Sequence, residues 1–110
     1  MSDYFRSKYI PAKRNQVVHF VYIVRCADGT LYTGYARDPR AREKAHNSGR
    51  GARYTCGRRP VTLVYSEKYR TQGEALSREY WLKRWSRQKK EALILSRRAG
   101  SRGGSRPRAR

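Results

Sequence analysis

The chain has 110 residues, enough for one domain and too few for two with independent cores. Its 27 Lys and Arg outnumber 8 Asp and Glu, for a formal net charge of +19, and self-repulsion on that scale asks for a polyanionic partner. No stretch approaches the roughly 18 apolar residues of a membrane span, no basic helix carries a broad apolar face, and 20 of the 27 cations are Arg, so nucleic acid fits better than a bilayer.

Residues 1–16 are polar and net positive, with Pro11 against any helix, and read as a loose basic arm. Folding begins with His19 to Cys26, a β-branched and aromatic run, followed after Ala27-Asp28-Gly29-Thr30 by a second, Leu31 to Tyr35. Asp-Gly between two such runs predicts an antiparallel hairpin. Phe20, Tyr22 and Val24 alternate with Val21 and Ile23, and since both faces are apolar the first strand should be central. Asp38-Pro39 reads as an N-cap with proline at the first helical position, opening a helix that runs to about His46 and stops at Asn47-Ser48-Gly49.

Arg50 to Arg59 reads as a basic loop, and Val61 to Glu67 as a third strand. Thr71 can cap a helix to about Trp85, and Ser86 another from Arg87 to Ser96. The order β-β-α-β-α-α predicts an α/β fold, with a small mixed or antiparallel sheet and helices against it, over residues 17–96. Residues 97–110 carry six arginines and no acid, which predicts a disordered basic tail. Cys26 and Cys56 show neither metal spacing nor a disulfide framework, and no apolar signal segment follows the N-terminus, so an intracellular protein with reduced cysteines is expected.

Several side chains invite chemistry. Tyr22 and Tyr32 sit on neighbouring hairpin strands, where a tyrosine pair is as easily core packing as function. Arg42 and His46 share a helix face, placing a phosphate-binding cation beside an imidazole, although a plain solvated face has the same spacing. Glu79 falls among Ala75, Leu76 and Leu82 on the arc that should face the core, where a carboxylate is either paired, with Lys83 or Arg78, or put to use, for instance on Mg²⁺. Trp81 and Trp85 read as core or interface anchors.

Taken together, Val21-Tyr22-Ile23, Tyr32-Thr33-Gly34, the segment Asp38 to Asn47 ending in His-Asn, and Glu79 within Arg78 to Arg84 resemble the GIY-YIG nuclease superfamily. The similarity continues through Ser48 to Thr55, Gly57 to Pro60 and Val64 to Glu67, and is similar to the small stand-alone bacterial branch from about His19 to Leu95. Three departures stand out: the first triplet lacks its Gly, Ala41 replaces an arginine often seen beside Arg42, and Ala36 replaces a common hydroxyl residue.

The resemblance implies a three-stranded antiparallel sheet flanked by helices and one divalent cation, Mg²⁺ or Mn²⁺, held by Glu79. It implies a phosphodiester hydrolase whose Tyr22, its phenol pKa lowered by nearby cations or the metal, is the general base. Tyr32 would assist it, Arg42 would stabilise the phosphorane, and His46 would orient the water. Gly34 would let the substrate backbone approach, while Arg50, Arg53, Arg58, Arg59 and Lys83 follow phosphates and Tyr54 stacks on a base. DNA is the first expectation, cut by shape more than by sequence as in repair or recombination, by a monomer. The competing expectation is a non-catalytic DNA- or RNA-binding protein that keeps the scaffold.

Overall fold

A computed structural model of the chain describes residues 18–103, with side chains as far as residue 97. The expected arm and the end of the expected tail, residues 104–110, lie outside the described residues. The elements are β1 (His19–Arg25), β2 (Leu31–Ala36), α1 (Pro39–Asn47), the short α2 (Arg53–Cys56), β3 (Thr62–Tyr69), α3 (Gln72–Lys83) and α4 (Arg87–Gly103).

The sheet is antiparallel throughout, in the order β2-β1-β3, so β1 is central as its two apolar faces require. At the hairpin, Gly29 takes φ +88°, Cys26 accepts its N–H at 2.9 Å, and the Asp28 carboxylate accepts from both the Thr30 N–H and hydroxyl. The three longer helices each start on a side-chain cap: for α1 Asp38 accepts from Ala41, for α3 Thr71 from Glu74 and for α4 Ser86 from Lys89.

One sheet face, bearing Val21 and Ile23, is covered by Ala75 and Leu82 of α3 and Ile94 of α4. The other, bearing Tyr22 and Val24 with Cys26, Ala36 and Val61, lies beneath α1 and α2. Helix α1 is tied to β3 and to the residue that leads into it: Asn47 clamps Val61 through its N–H at 2.6 Å and its carbonyl at 2.9 Å, and Glu43 accepts the Leu63 N–H at 2.7 Å. The loop carrying α2 is tied to the hairpin, with Arg58 on Asp28 at 3.0 Å and the Ala27 N–H on the Arg58 carbonyl at 2.9 Å.

Four expectations change. Helix α4 does not stop at Ser96 but runs to Gly103, because Arg97, Arg98 and Ala99 are good helix formers and nothing before Gly100 halts propagation. Arg50 to Arg59 is not all loop, since it contains α2. The third strand starts one residue later and ends two later than expected, at Thr62 and Tyr69. Leu76 is exposed rather than core-facing, because α3 meets the sheet along a narrow strip centred on Ala75 and Leu82.

Candidate active site

Tyr22 is buried at the centre of β1, opposite Gly34 in the ladder. A Cβ at residue 34 would stand 2.5 Å from the Tyr22 hydroxyl, so the glycine leaves room for the phenol itself. The hydroxyl meets His46 Nε2 at 2.8 Å, and the imidazole, wholly buried, meets Thr55 Oγ1 through Nδ1 at 2.7 Å. Gly51 lies against the same ring, where a Cβ would overlap Nδ1. Thr55 is itself fully buried and hydrogen-bonds the Ala52 carbonyl at 2.9 Å, a contact that only the turn of α2 provides.

Tyr32 presents its ring edge-on to His46, with centroids 5.4 Å apart, and makes no hydrogen bond to Tyr22. Tyr54 stacks on Tyr32 at 5.7 Å, and the Arg58 guanidinium covers the ring of Tyr54 from 4.0 Å. Around the edge at β2, α3 contributes Glu79 and Lys83: they pair at 3.5 Å, and the Lys83 ammonium lies 5.6 Å from the centre of the Tyr32 ring. Glu79 keeps 19 % of its side-chain surface exposed, so it is accessible without being free in solvent.

The protein's own cations do not lower the Tyr22 pKa as expected. Burial pushes the Tyr22 phenol up to about 12; the Arg42 guanidinium beside it pulls the other way and is outweighed, while Tyr32 and Glu79 reinforce the rise. The phenol is therefore held protonated rather than primed as a phenolate. Burial, and then the Arg42 charge, lower the His46 pKa, which keeps the imidazole neutral.

Tyr22, Tyr32, Arg42, His46 and Glu79, from four different elements, thus gather at one place. Gly34 and Lys83 join them by direct contact, Gly34 against Tyr22 and Lys83 against Glu79 and Tyr32. Of the expected phosphate-tracking residues, Arg58 and Arg59 are engaged inside the protein, Arg59 on the Cys56 carbonyl at 2.8 Å, whereas Arg50 and Arg53 make no ion pair among the described residues. Thr55 and Gly51 were not singled out from the sequence, although both lie in the Ser48 to Thr55 stretch that carries the family resemblance.

Comparison with known proteins gives the family. Residues 18–92 match a family model described as the GIY-YIG catalytic domain. A UPF0213 protein of Staphylococcus aureus is 62 % identical over 79 residues, covering 72 % of this chain and 96 % of its own. The solution NMR structure of a protein from E. faecalis is 34 % identical, with a TM-score of 0.51 over 84 % of this chain and 94 % of that one. The solution NMR structure of a UPF0213 protein from Bacillus halodurans is 48 % identical over 70 % of this chain and 82 % of that one, with a TM-score of 0.46.

Proposed function

This chain belongs to the GIY-YIG catalytic-domain family, and on that premise we propose that it is a divalent-metal-dependent endonuclease hydrolysing phosphodiester bonds in nucleic acid, DNA first. The observation that carries the reading is the convergence of a buried Tyr22–His46 pair with Arg42 and a single accessible carboxylate, Glu79, in a protein of net charge +19.

The donor set suits a hard cation that keeps most of its waters. Among the described residues no three His, Cys, Asp or Glu cluster, so an all-protein cage is absent, but Mg²⁺ ordinarily takes one or two carboxylates plus substrate phosphate. Glu79 would hold Mg²⁺ or Mn²⁺, which when bound acts as Lewis acid and template at the scissile phosphate. Lys83, half exposed, neutralises Glu79 now and can turn to a phosphate once a cation takes its place.

The protein groups then divide the work. Arg42 binds a non-bridging oxygen and offsets the charge that develops on phosphorus. Tyr22 accepts a proton from the attacking water as it gives up its own, a step worth about 10²- to 10⁴-fold for a positioned base, and His46 fixes the hydroxyl that does so. Arg50 and Arg53 follow the backbone without reading bases, so cleavage follows nucleic-acid shape more than sequence. Tyr54 can stack on a base only if Arg58 swings off its ring. No helix among the described residues is long and apolar enough to cross a membrane.

Purified protein incubated with plasmid, branched and single-stranded DNA, with Mg²⁺, with Mn²⁺ and with chelator, tests the proposal. Cutting that needs the cation is expected. Binding without cutting of any DNA or RNA under every metal would replace the nuclease with a nucleic-acid-binding protein on the same scaffold.

A further inference from the structure

The Tyr22 hydroxyl can act on water only if its own proton has somewhere to go, and where that is depends on which imidazole nitrogen carries hydrogen. With Nε2 bare, Tyr22 donates to His46 and keeps its lone pairs turned toward the site; with Nε2–H, the ring donates to Tyr22 and occupies one of those lone pairs. The two tautomers thus give Tyr22 opposite characters.

The surroundings of Nδ1 decide between them. Thr55 Oγ1 lies 2.7 Å from Nδ1 and 2.9 Å from the Ala52 carbonyl oxygen. A hydroxyl has one proton, and a carbonyl has none. If that proton pointed at Nδ1, two oxygens bearing lone pairs would face each other at 2.9 Å with nothing between them. If it points at the Ala52 carbonyl, the threonine oxygen accepts from Nδ1–H, and the Tyr22 hydroxyl, both ring nitrogens and the Thr55 hydroxyl all have partners. The Ala52 N–H, 3.4 Å from Nδ1, favours the opposite arrangement, but it is long for a hydrogen bond and is outweighed by the two shorter contacts.

From this geometry we infer that Thr55 is a positioning residue: seated on α2, it holds His46 in the Nδ1–H tautomer so that Nε2 receives the Tyr22 proton. During attack on phosphate, one O–H bond of water breaks and its proton passes to the Tyr22 oxygen. The Tyr22 proton moves to His46 Nε2, giving an imidazolium with both nitrogens protonated, and the hydroxide forms the new P–O bond as the old one breaks, its electron pair leaving on the departing oxygen, which takes a proton from solvent. Nothing is oxidised or reduced. Burial, and then Arg42, disfavour that imidazolium; a phosphate bound to Arg42 offsets the second of these and makes His46 a better acceptor when substrate is present.

The seat is made rigid. Gly51 admits no Cβ beside Nδ1, α1 is clamped to Val61 by Asn47 and to β3 by Glu43, and the α2 loop is pinned to the hairpin by Arg58. A purely structural Thr55 would need its volume more than its hydroxyl. Thr55→Val keeps the shape and removes the group that orders the tautomer, and Thr55→Ser keeps the group at the cost of a methyl.

The tautomer itself does not depend on the proposed function, and only its effect on cleavage does. Long-range ¹⁵N–¹H NMR spectra of the full chain read the His46 tautomer directly. The expected result is Nδ1–H in the parent and in Thr55→Ser, and a shift toward Nε2–H in Thr55→Val. Cleavage under Mg²⁺ should fall by about 10- to 100-fold in Thr55→Val at unchanged nucleic-acid affinity and recover in Thr55→Ser. An Nε2–H ring in the parent, or a Thr55→Val protein that cuts like the parent, overturns the inference. Should the parent cut nothing, the spectra of the parent alone still decide the tautomer, and the nuclease reading fails separately.

Discussion

The two faces of the sheet each bury tyrosine hydroxyls in a polar cluster, and the clusters differ in whether they are closed. Beneath α3 and α4, Glu67 accepts from Tyr65, from Tyr69 at 2.6 Å, and from both ends of Arg78 at 2.8 and 2.9 Å. Every carboxylate lone pair there meets a donor within the protein, and α3 is bolted to β3 as a result. Beneath α1 and α2, Tyr22, His46 and Thr55 form an equally buried chain, but its rim is Arg42, Glu79 and Lys83, which keep access to solvent. A closed cluster has nothing left to offer a ligand, whereas an open one does. Under the proposed function, the first face serves stability and the second chemistry.

The largest expected effect that sharpens this contrast is on the open face. Tyr22→Phe should leave the fold standing, at about 1–3 kcal/mol for the His46 nitrogen stripped of its partner. It should lower metal-dependent cleavage by about 10²- to 10⁴-fold. Equal cleavage by the two proteins would break the assignment of chemistry to that face.

Next comes the closed face. Glu67→Gln leaves Arg78 without its counter-charge in a setting where both side chains are less than a third exposed. A loss of about 3 kcal/mol is expected, seen as a fall in Tm on the order of 15 °C. Nucleic-acid affinity and cleavage at a temperature where the variant is folded should not change. Reduced cleavage in the folded variant would mean that the two clusters are coupled.

Acid should undo the faces in different windows. His46 is neutral when folded because burial lowers its pKa from 6.5, so its contribution is present above about pH 6.5 and is lost as pH falls through the depressed value. Burial alone would raise the Glu67 pKa, but its bonds from Arg78, Tyr65 and Tyr69 outweigh that and hold it below 4.5. Its share of stability is therefore retained above about pH 4.5 and lost further into acid. Denaturant midpoints measured across pH should show both losses, with only the second removed in Glu67→Gln.

The smallest effect concerns the one buried side-chain atom without a partner among the described residues, the Thr33 hydroxyl. Thr33→Val removes an unsatisfied group at nearly constant shape and should raise stability by about 1 kcal/mol, a few degrees in Tm, without touching cleavage. A drop in Tm would show that the hydroxyl has a partner.

Much of this was legible in the sequence where the cause is local. Asp28-Gly29 declares the hairpin, and Asp38, Thr71 and Ser86 declare helix starts, because each acts on backbone within a few residues. The five site residues were found together by their resemblance to a family rather than by any single spacing. What escaped depends on contacts distant in the chain. Thr55 matters only because α2 returns it to His46, and Gly51 only because that ring fills its space. The pull of Arg42 on the Tyr22 phenol is legible from the helix face it shares with His46, but that burial outweighs it depends on how completely the folded chain closes over the ring. Leu76 shows the converse error, since a helical wheel does not reveal how narrow the surface beneath it is.

Glu79 carries the proposed chemistry most directly, and one pair of proteins measures both cleavage and binding. Parent and Glu79→Gln are compared on the same labelled DNA, by cleavage in Mg²⁺ and in Mn²⁺ and by affinity in chelator. The prediction is equal or slightly tighter binding by the variant, which has lost one negative charge, with cleavage reduced by at least about 10²-fold in both metals. Cleavage by Glu79→Gln at the parent's rate would contradict the account.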